Sequence, residues 1–174
     1  MEGYFIFVGR LDKLKGVDVL LEAWNRMGVQ APKLLICGTG PMESWCRGYI
    51  DENNLTTVEM MGFVPNTESR ELIANSRALI LPTQWYEGFP MTIVEAYSVG
   101  IPVVGSDMGN VGSLIENGVT GWKFNAQSPE MLMKMVKNTE MGQFCAEEII
   151  RIYQKYYSME ENYKELLEIY NNCT

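Results

Sequence analysis

Tyr4-Phe5-Ile6-Phe7-Val8, then Gly9-Arg10-Leu11-Asp12-Lys13-Leu14-Lys15-Gly16, then Val17, Leu20, Leu21 and Trp24 at helical spacing: this stretch decides the fold. A short apolar run closed by a glycine and charges reads as a buried strand. The glycine-bounded loop leads into a helix with one apolar stripe. The same unit recurs outward along the chain, with strand-like runs at 4–8, 33–37, 58–61, 78–81, 102–105 and 121–124. Helical periodicity fills the gaps, for example at Leu72, Ile73 and Ser76. Strands buried on both faces and alternating with helices predict an α/β fold, a Rossmann-like, doubly wound parallel sheet of about six strands. Right-handed crossovers then place the strand C-terminal ends and their loops along one edge, where such sheets bind ligands. After Ser128-Pro129 the strands stop, and 131–137, 145–156 and 160–170 read as three successive helices. With no linker or repeat, residues 1–174 form one domain whose C-terminal helices start at about 128.

Composition excludes several function classes. Hydrophobic residues make up 47% of the chain, too many for a disordered segment. No apolar run approaches the ~20 residues that cross a bilayer, and no secretory signal is visible. A cytoplasmic protein with reduced thiols is the expectation. The net charge of −8, from 14 Lys and Arg against 22 Asp and Glu, argues against nucleic acid as a partner. Much of the acid lies late, at Glu147, Glu148, Glu160, Glu161, Glu165 and Glu168, as on a solvated helical face. Cys37, Cys46, Cys145 and Cys173 show no metal-ligand spacing, and Cys37 reads as a core residue of its strand. Histidine is absent, which removes Ser-His and Cys-His chemistry and argues against zinc.

Four strand-to-helix loops converge on the ligand edge. The first sets Arg10 and Lys15 on the Gly9–Gly16 loop, offering a fixed fork of donors and a mobile point charge to a diphosphate. Alone it is equally a solvated basic loop. The second, Gly38-Thr39-Gly40-Pro41, departs from the dinucleotide fingerprint at Glu43. It reads as a tight turn with close backbone approach, Pro41 fitting the first helical turn. The third is the most informative: Trp85-Tyr86-Glu87-Gly88-Phe89-Pro90-Met91-Thr92-Ile93-Val94-Glu95-Ala96. Gly88 permits an unusual turn and Pro90 opens a helix, leaving the amides of Phe89, Met91 and Thr92 free to meet phosphate. Glu87 precedes that helix and Glu95 lies one to two turns inside it. Neither carboxylate suits a phosphate; both suit sugar hydroxyls, through charge-assisted bonds of about 1.5–3 kcal/mol. Glu95 by itself is equally a surface helix residue. In the fourth loop, Ser106–Gly112, Asp107 or Asn110 can cap the following helix, and the loop can line the sugar pocket.

Taken in order, these motifs resemble the family 4 retaining glycosyltransferases. The carriers are Gly9-Arg10 and Lys15-Gly16, Gly38-x-Gly40-Pro41, Gly62-Phe63-Val64, Glu87-Gly88-Phe89-Pro90 through Glu95-Ala96, Gly100-x-Pro102-Val103-Val104 and Gly118-x-Thr120-Gly121. The resemblance implies the C-terminal, nucleotide-sugar (donor) binding half of a GT-B fold, whose N-terminal acceptor domain is absent here. Met1-Glu2-Gly3 running straight into the first strand suggests a domain excised from a longer chain, inactive alone. By that resemblance Arg10, Lys15 and Glu87 are catalytic. Arg10 and Lys15 hold and stabilise the leaving diphosphate, Glu87 contacts the donor sugar, and Glu95 contacts the ribose. Gly9, Gly38, Gly40, Gly88, Phe89, Pro90, Met91 and Thr92 complete the donor site, with the Val64 backbone near the base. The substrate implied is a UDP- or GDP-sugar, with no cofactor and no metal, since the cations and helix terminus take a metal's electrostatic role.

The acceptor implied is a glycan or lipid-linked sugar in polysaccharide synthesis, met through the missing domain. Peripheral association of the parent with the inner face of the membrane fits that role. The variant at 109–113 resembles transferases for bacterial capsule or lipopolysaccharide sugars. It carries Ser113 where many members have an acid, so no role passes to that position. The alternative is a stand-alone nucleotide-sugar module, or a donor subunit that works with a separate acceptor-binding chain. A flavodoxin-like or response-regulator domain shares the sheet but leaves the Glu87–Glu95 pair unexplained.

Overall fold

The computed structural model describes residues 3–142 and 144–172. Met1, Glu2, Gln143, Cys173 and Thr174 lie outside the described residues. The opening stretch forms strand β1 (Phe5–Val8), a single 3₁₀ turn (Lys13–Lys15) and helix α1 (Val17–Met27). The unit repeats as β2 (Leu34–Cys37), α2 (Glu43–Glu52), β3 (Val58–Gly62), α3 (Asn66–Ala74), β4 (Ala78–Leu81) and α4 (Met91–Ser98). Then come β5 (Val103–Ser106), the short α5 (Gly109–Leu114), β6 (Gly121–Phe124), α6 (Pro129–Met141), α7 (Ala146–Tyr156) and α8 (Met159–Asn172). All six strands are parallel, in the order β3-β2-β1-β4-β5-β6. This is the expected Rossmann-like, doubly wound sheet.

Side-chain alternation builds the core. Along β1, Phe5 and Phe7 join Leu20, Trp24, Leu34 and Ile36 under α1 and α6. Ile6 joins Leu79, Ile93, Tyr97 and Ile149 on the other face, under α4 and α7. Successive strand residues point to opposite faces, so a central strand that is apolar throughout needs both layers. Trp24 is buried with its indole N–H donating to the Pro32 carbonyl at 2.7 Å. The edge strand β3 departs from the expectation of burial on both faces: Glu59 is exposed and pairs with Lys33 at 3.0 Å. A charged edge of this kind disfavours pairing with another sheet.

The order reverses between β1 and β4. There the register covers Phe5–Ala78 and Ile6–Leu79, whereas β1 and β2 pair over four residues. Helices leave β1 and β4 for opposite faces, so the loops after these two strands part and leave a crevice between them.

Helix α6 starts at Pro129, before the expected 131–137, because Ser128 accepts from the Met131 amide and Pro129 occupies the first turn; it runs on to Met141. On α8, Tyr163 and Tyr170 are exposed, as is Tyr156 on α7. Tyr157 is half-buried, its ring 6.3 Å from Tyr97. Among the described residues no helix is long and apolar enough to cross a membrane.

Tyr97 is the largest polar side chain in the core. Its hydroxyl bonds the Leu114 carbonyl at 3.0 Å and Thr120 Oγ1 at 2.9 Å, tying α4 to α5 and to the turn before β6. Burial pushes its pKa above the ordinary phenol value. A raised folded-state pKa means that the neutral phenol's contribution is complete below pH ~10 and is lost as pH climbs beyond it. Tyr97→Phe is expected to cost about 1–2 kcal/mol at neutral pH. The gap in melting temperature between variant and parent should narrow above pH ~10, as measured by circular dichroism.

Candidate functional site

The first wall of the crevice is made of backbone. Beyond the strands, the Gly9 amide donates to Cys37 O at 3.0 Å and the Leu11 amide to Thr39 O at 2.9 Å, zipping the first two loops together. Gly38 sits at φ 144°, and a Cβ there would fall 1.8 Å from the Gly9 carbonyl oxygen. One at Gly40 would fall 2.4 Å from Leu11 O. These glycines permit close approach, as expected. Pro41 differs from expectation: it lies in a turn before α2, which starts two residues later at Glu43.

Asp12 organises the next turn. Its carboxylate accepts from the Lys15 amide at 3.1 Å, capping the 3₁₀ turn, and lies 3.4 Å from Arg10 Nε. An Asp two residues after a cation is a common surface pattern, so its spacing alone carries no signal of this role.

The second wall is stitched to the first. The Gln84 amide and the Thr83 hydroxyl both donate to Leu14 O, at 2.7 and 3.1 Å, and Gln84 Nε2 donates to Asp18 at 2.7 Å. These bonds bring Glu87 to Lys15, with Oε2 and Nζ 2.7 Å apart. The Lys15 side chain is 35% exposed and that of Glu87 18%. Arg10 stays open to solvent at 70%. Phe89, preceding a proline, is held out of the helical region, so α4 starts abruptly after Pro90. The Ile93 amide donates to Pro90 O at 3.0 Å, while those of Phe89, Met91 and Thr92 meet no acceptor among the described residues.

Gly9, Arg10, Lys15, Glu87, Phe89, Pro90, Met91 and Thr92 thus line one cleft of about 340 Å³. Gly9 and Arg10 also border a second cleft of about 450 Å³ with Gly38, Gly40, Phe63 and Val64. Gly88 does not line the first cleft, and its carbonyl is engaged by Asn110. Glu95 lines neither. It faces a third hollow with Arg70 and Tyr153, which shares Phe89 and Met91 with the first. Two cations, one carboxylate and a set of open amides therefore meet at the switch point, an arrangement suited to a polyanion carrying hydroxyls.

Neither candidate cap for α5 acts as one. Met108 occupies the cap position without a side-chain bond, and Asp107 lies 3.5 Å from Lys123. Asn110 instead reaches across to the Glu87 and Gly88 carbonyls, donating to the first at 3.1 Å. Short polar residues before a helix suggest caps by pattern; the neighbouring loop is a tertiary competitor that no local pattern reveals.

Cys37, on the second cleft, has its thiol pushed up to about 11 by burial, with the charge of Glu68 adding to the effect. Burial likewise raises Cys46 to about 11. Both stay protonated at neutral pH, whereas Cys145 is exposed. In a Cys173→Ser background, a thiol-reactive dye at pH 8 should label Cys145 rapidly and leave Cys37 and Cys46 silent until denaturant is added.

Fold and crevice define a Rossmann-like α/β domain with two cations, a carboxylate and open amides gathered at its switch point. Residues 1–156 match the model for the glycosyl transferases group 1, and the chain belongs to that family. It is 35% identical over 125 residues to WcaL of Salmonella typhimurium, a glycosyltransferase assigned to colanic acid biosynthesis, spanning 67% of this chain and 31% of that one. It is 32% identical over 123 residues to the amylovoran biosynthesis glycosyltransferase AmsK of Erwinia amylovora, across 66% and 30% of the two chains. Among solved structures, the lipopolysaccharide outer core galactosyltransferase WaaB superposes with a TM-score of 0.84 at 25% identity, covering 98% of this chain and 49% of that one. The Anabaena protein HepE, solved with UDP, gives 0.85 at 20% identity across 97% and 48%. The chain thus spans about a third of the curated relatives it matches and about half of the solved ones.

Proposed function

We propose that this chain is the donor-binding domain of a retaining glycosyltransferase that moves a sugar from a nucleotide-sugar to a glycan or lipid-linked acceptor in polysaccharide synthesis. The observation that carries the reading is the Lys15–Glu87 contact at the switch point, flanked by Arg10 and by the Met91 and Thr92 amides, which meet no acceptor among the described residues. Similarity to transferases of exopolysaccharide assembly supports the pathway class. HepE, which shares the fold, has been solved with UDP and with UDP-glucose, which supports a nucleoside diphosphate in the crevice.

In this reading the diphosphate lies between Arg10, Lys15 and the Met91 and Thr92 amides, which stabilise its growing charge as the sugar departs. Without ligand, Lys15 is neutralised by Glu87. An arriving diphosphate takes over Lys15 and frees Glu87 to accept from a sugar hydroxyl. Glu87 positions the sugar; with no second carboxylate lining its cleft among the described residues, the paired-carboxylate route of glycosidases has no counterpart. Val64 borders the space for the base, and Glu95 reaches the ribose across the Phe89–Met91 ridge. Arg10 and Lys15 supply the charge a divalent metal would otherwise provide.

Calorimetric titration with UDP, GDP and ADP, then with their sugar conjugates, tests the reading. One nucleoside diphosphate should bind, with an affinity unchanged by EDTA. Failure of all of them to bind would sink it.

A further inference from the structure

Asn110 has no place in the fold's interior. It is exposed on α5, yet its carboxamide donates to the carbonyls of both Glu87 and Gly88. Beside it, Gly109 at φ 51° seats the Tyr86 ring, and a Cβ there would lie 2.8 Å from Tyr86 Cδ1. The start of α5 therefore clasps the 85–88 segment at two points.

The choice of carbonyls is informative. If α4 ran one turn further back, the Glu87 and Gly88 carbonyls would accept from the amides of Met91 and Thr92. Asn110 engages those two carbonyls on the α5 side, and the Met91 and Thr92 amides are left open to the cleft. The same bonds fix the backbone of Glu87, whose carboxylate meets Lys15 at 2.7 Å.

We propose that Asn110 is a positioning residue of the donor site. It holds the Glu87–Gly88 carbonyls away from α4, so that Glu87 and the open amides present themselves together to the sugar-diphosphate. The proposal rests on the donor-binding reading above.

The test compares the 174-residue chain with its Asn110→Asp and Asn110→Ala variants, titrated with whichever nucleotide-sugar the parent binds. Asn110→Ala should bind about three- to tenfold more weakly at pH 7.5, the effect of one unmade hydrogen bond. Asn110→Asp should be weaker still, because a carboxylate faces two carbonyl oxygens. The two carbonyl oxygens favour the protonated carboxyl and should lift it above the ordinary Asp value of about 3.9, so at pH 5 part of it donates again and the ratio of parent to Asn110→Asp affinity should shrink. A packing defect would not respond to pH in this way. Variants that bind as tightly as a binding-competent parent, or an Asn110→Asp deficit that is the same at both pH values, would overturn the proposal and leave the donor-binding reading intact. A parent that binds no nucleotide or conjugate overturns both.

Discussion

In the proposed donor site, Glu87→Gln is expected to remove part of the affinity that the sugar adds to the nucleoside diphosphate, and to slow sugar transfer about five- to tenfold. The magnitude follows from exchanging a charge-assisted hydrogen bond of about 1.5–3 kcal/mol for a neutral one of about 0.5–1.5 kcal/mol, a loss of roughly 1–1.5 kcal/mol. The sign for the bare diphosphate is opposite. In the parent, Lys15 must leave a carboxylate 2.7 Å away before it serves phosphate. In the variant that competitor is neutral, so affinity for the diphosphate alone should hold or rise. Calorimetry with both ligands reads the split directly. Parallel losses for diphosphate and conjugate would assign Glu87 to the phosphate or to the fold, not to the sugar.

Lys15→Ala carries the second large effect. It removes a cation from the diphosphate and leaves Glu87 as an uncompensated negative charge in the same cleft. Both changes oppose an anion. Because the pair is partly exposed, solvent screens it, and the loss is set at roughly 2 kcal/mol, or about thirtyfold. The double variant Lys15→Ala/Glu87→Gln should recover part of that loss, since the repulsive carboxylate is gone. A double-mutant cycle with a coupling energy of zero would show that the two side chains act independently. Raising the salt concentration should weaken binding to the parent more than to Lys15→Ala, since one phosphate-facing charge has been removed.

Much of the fold was legible because a parallel sheet buried on both faces leaves a strong mark: continuous apolar runs such as Phe5-Ile6-Phe7 and Leu79-Ile80-Leu81, punctuated by glycine and proline. Strand ends shifted by a residue or so, and β3 is wetter than its sequence suggested because an edge strand needs only one buried neighbour. The cleft residues Arg10, Lys15, Glu87 and Phe89–Thr92 were legible for a different reason. Each sits in a loop that follows a strand, and right-handed crossovers bring all such loops to one edge whatever their side chains.

Three things were not legible. Asp107 and Asn110 look like helix caps, but their partners lie on other elements. The Lys15–Glu87 contact joins residues far apart along the chain. Glu95 cannot be assigned a hollow from its spacing to Glu87, because the abrupt start of α4 after Pro90 sets the phase of the helix.

By itself, then, the sequence determined the layered α/β architecture, the family, and which loops face the ligand edge. The architecture and the loop placement follow from apolar periodicity and crossover handedness, and the family from the ordered loop motifs. Only the tertiary structure decided which side chains meet across that edge. Glu87 is neutralised by Lys15 and its backbone is held by Asn110, while Glu95 faces a neighbouring hollow. Contacts between separate loops depend on the sheet order β3-β2-β1-β4-β5-β6, which sets the loops after β1, β4 and β5 side by side. Distance along the chain carries no trace of that adjacency.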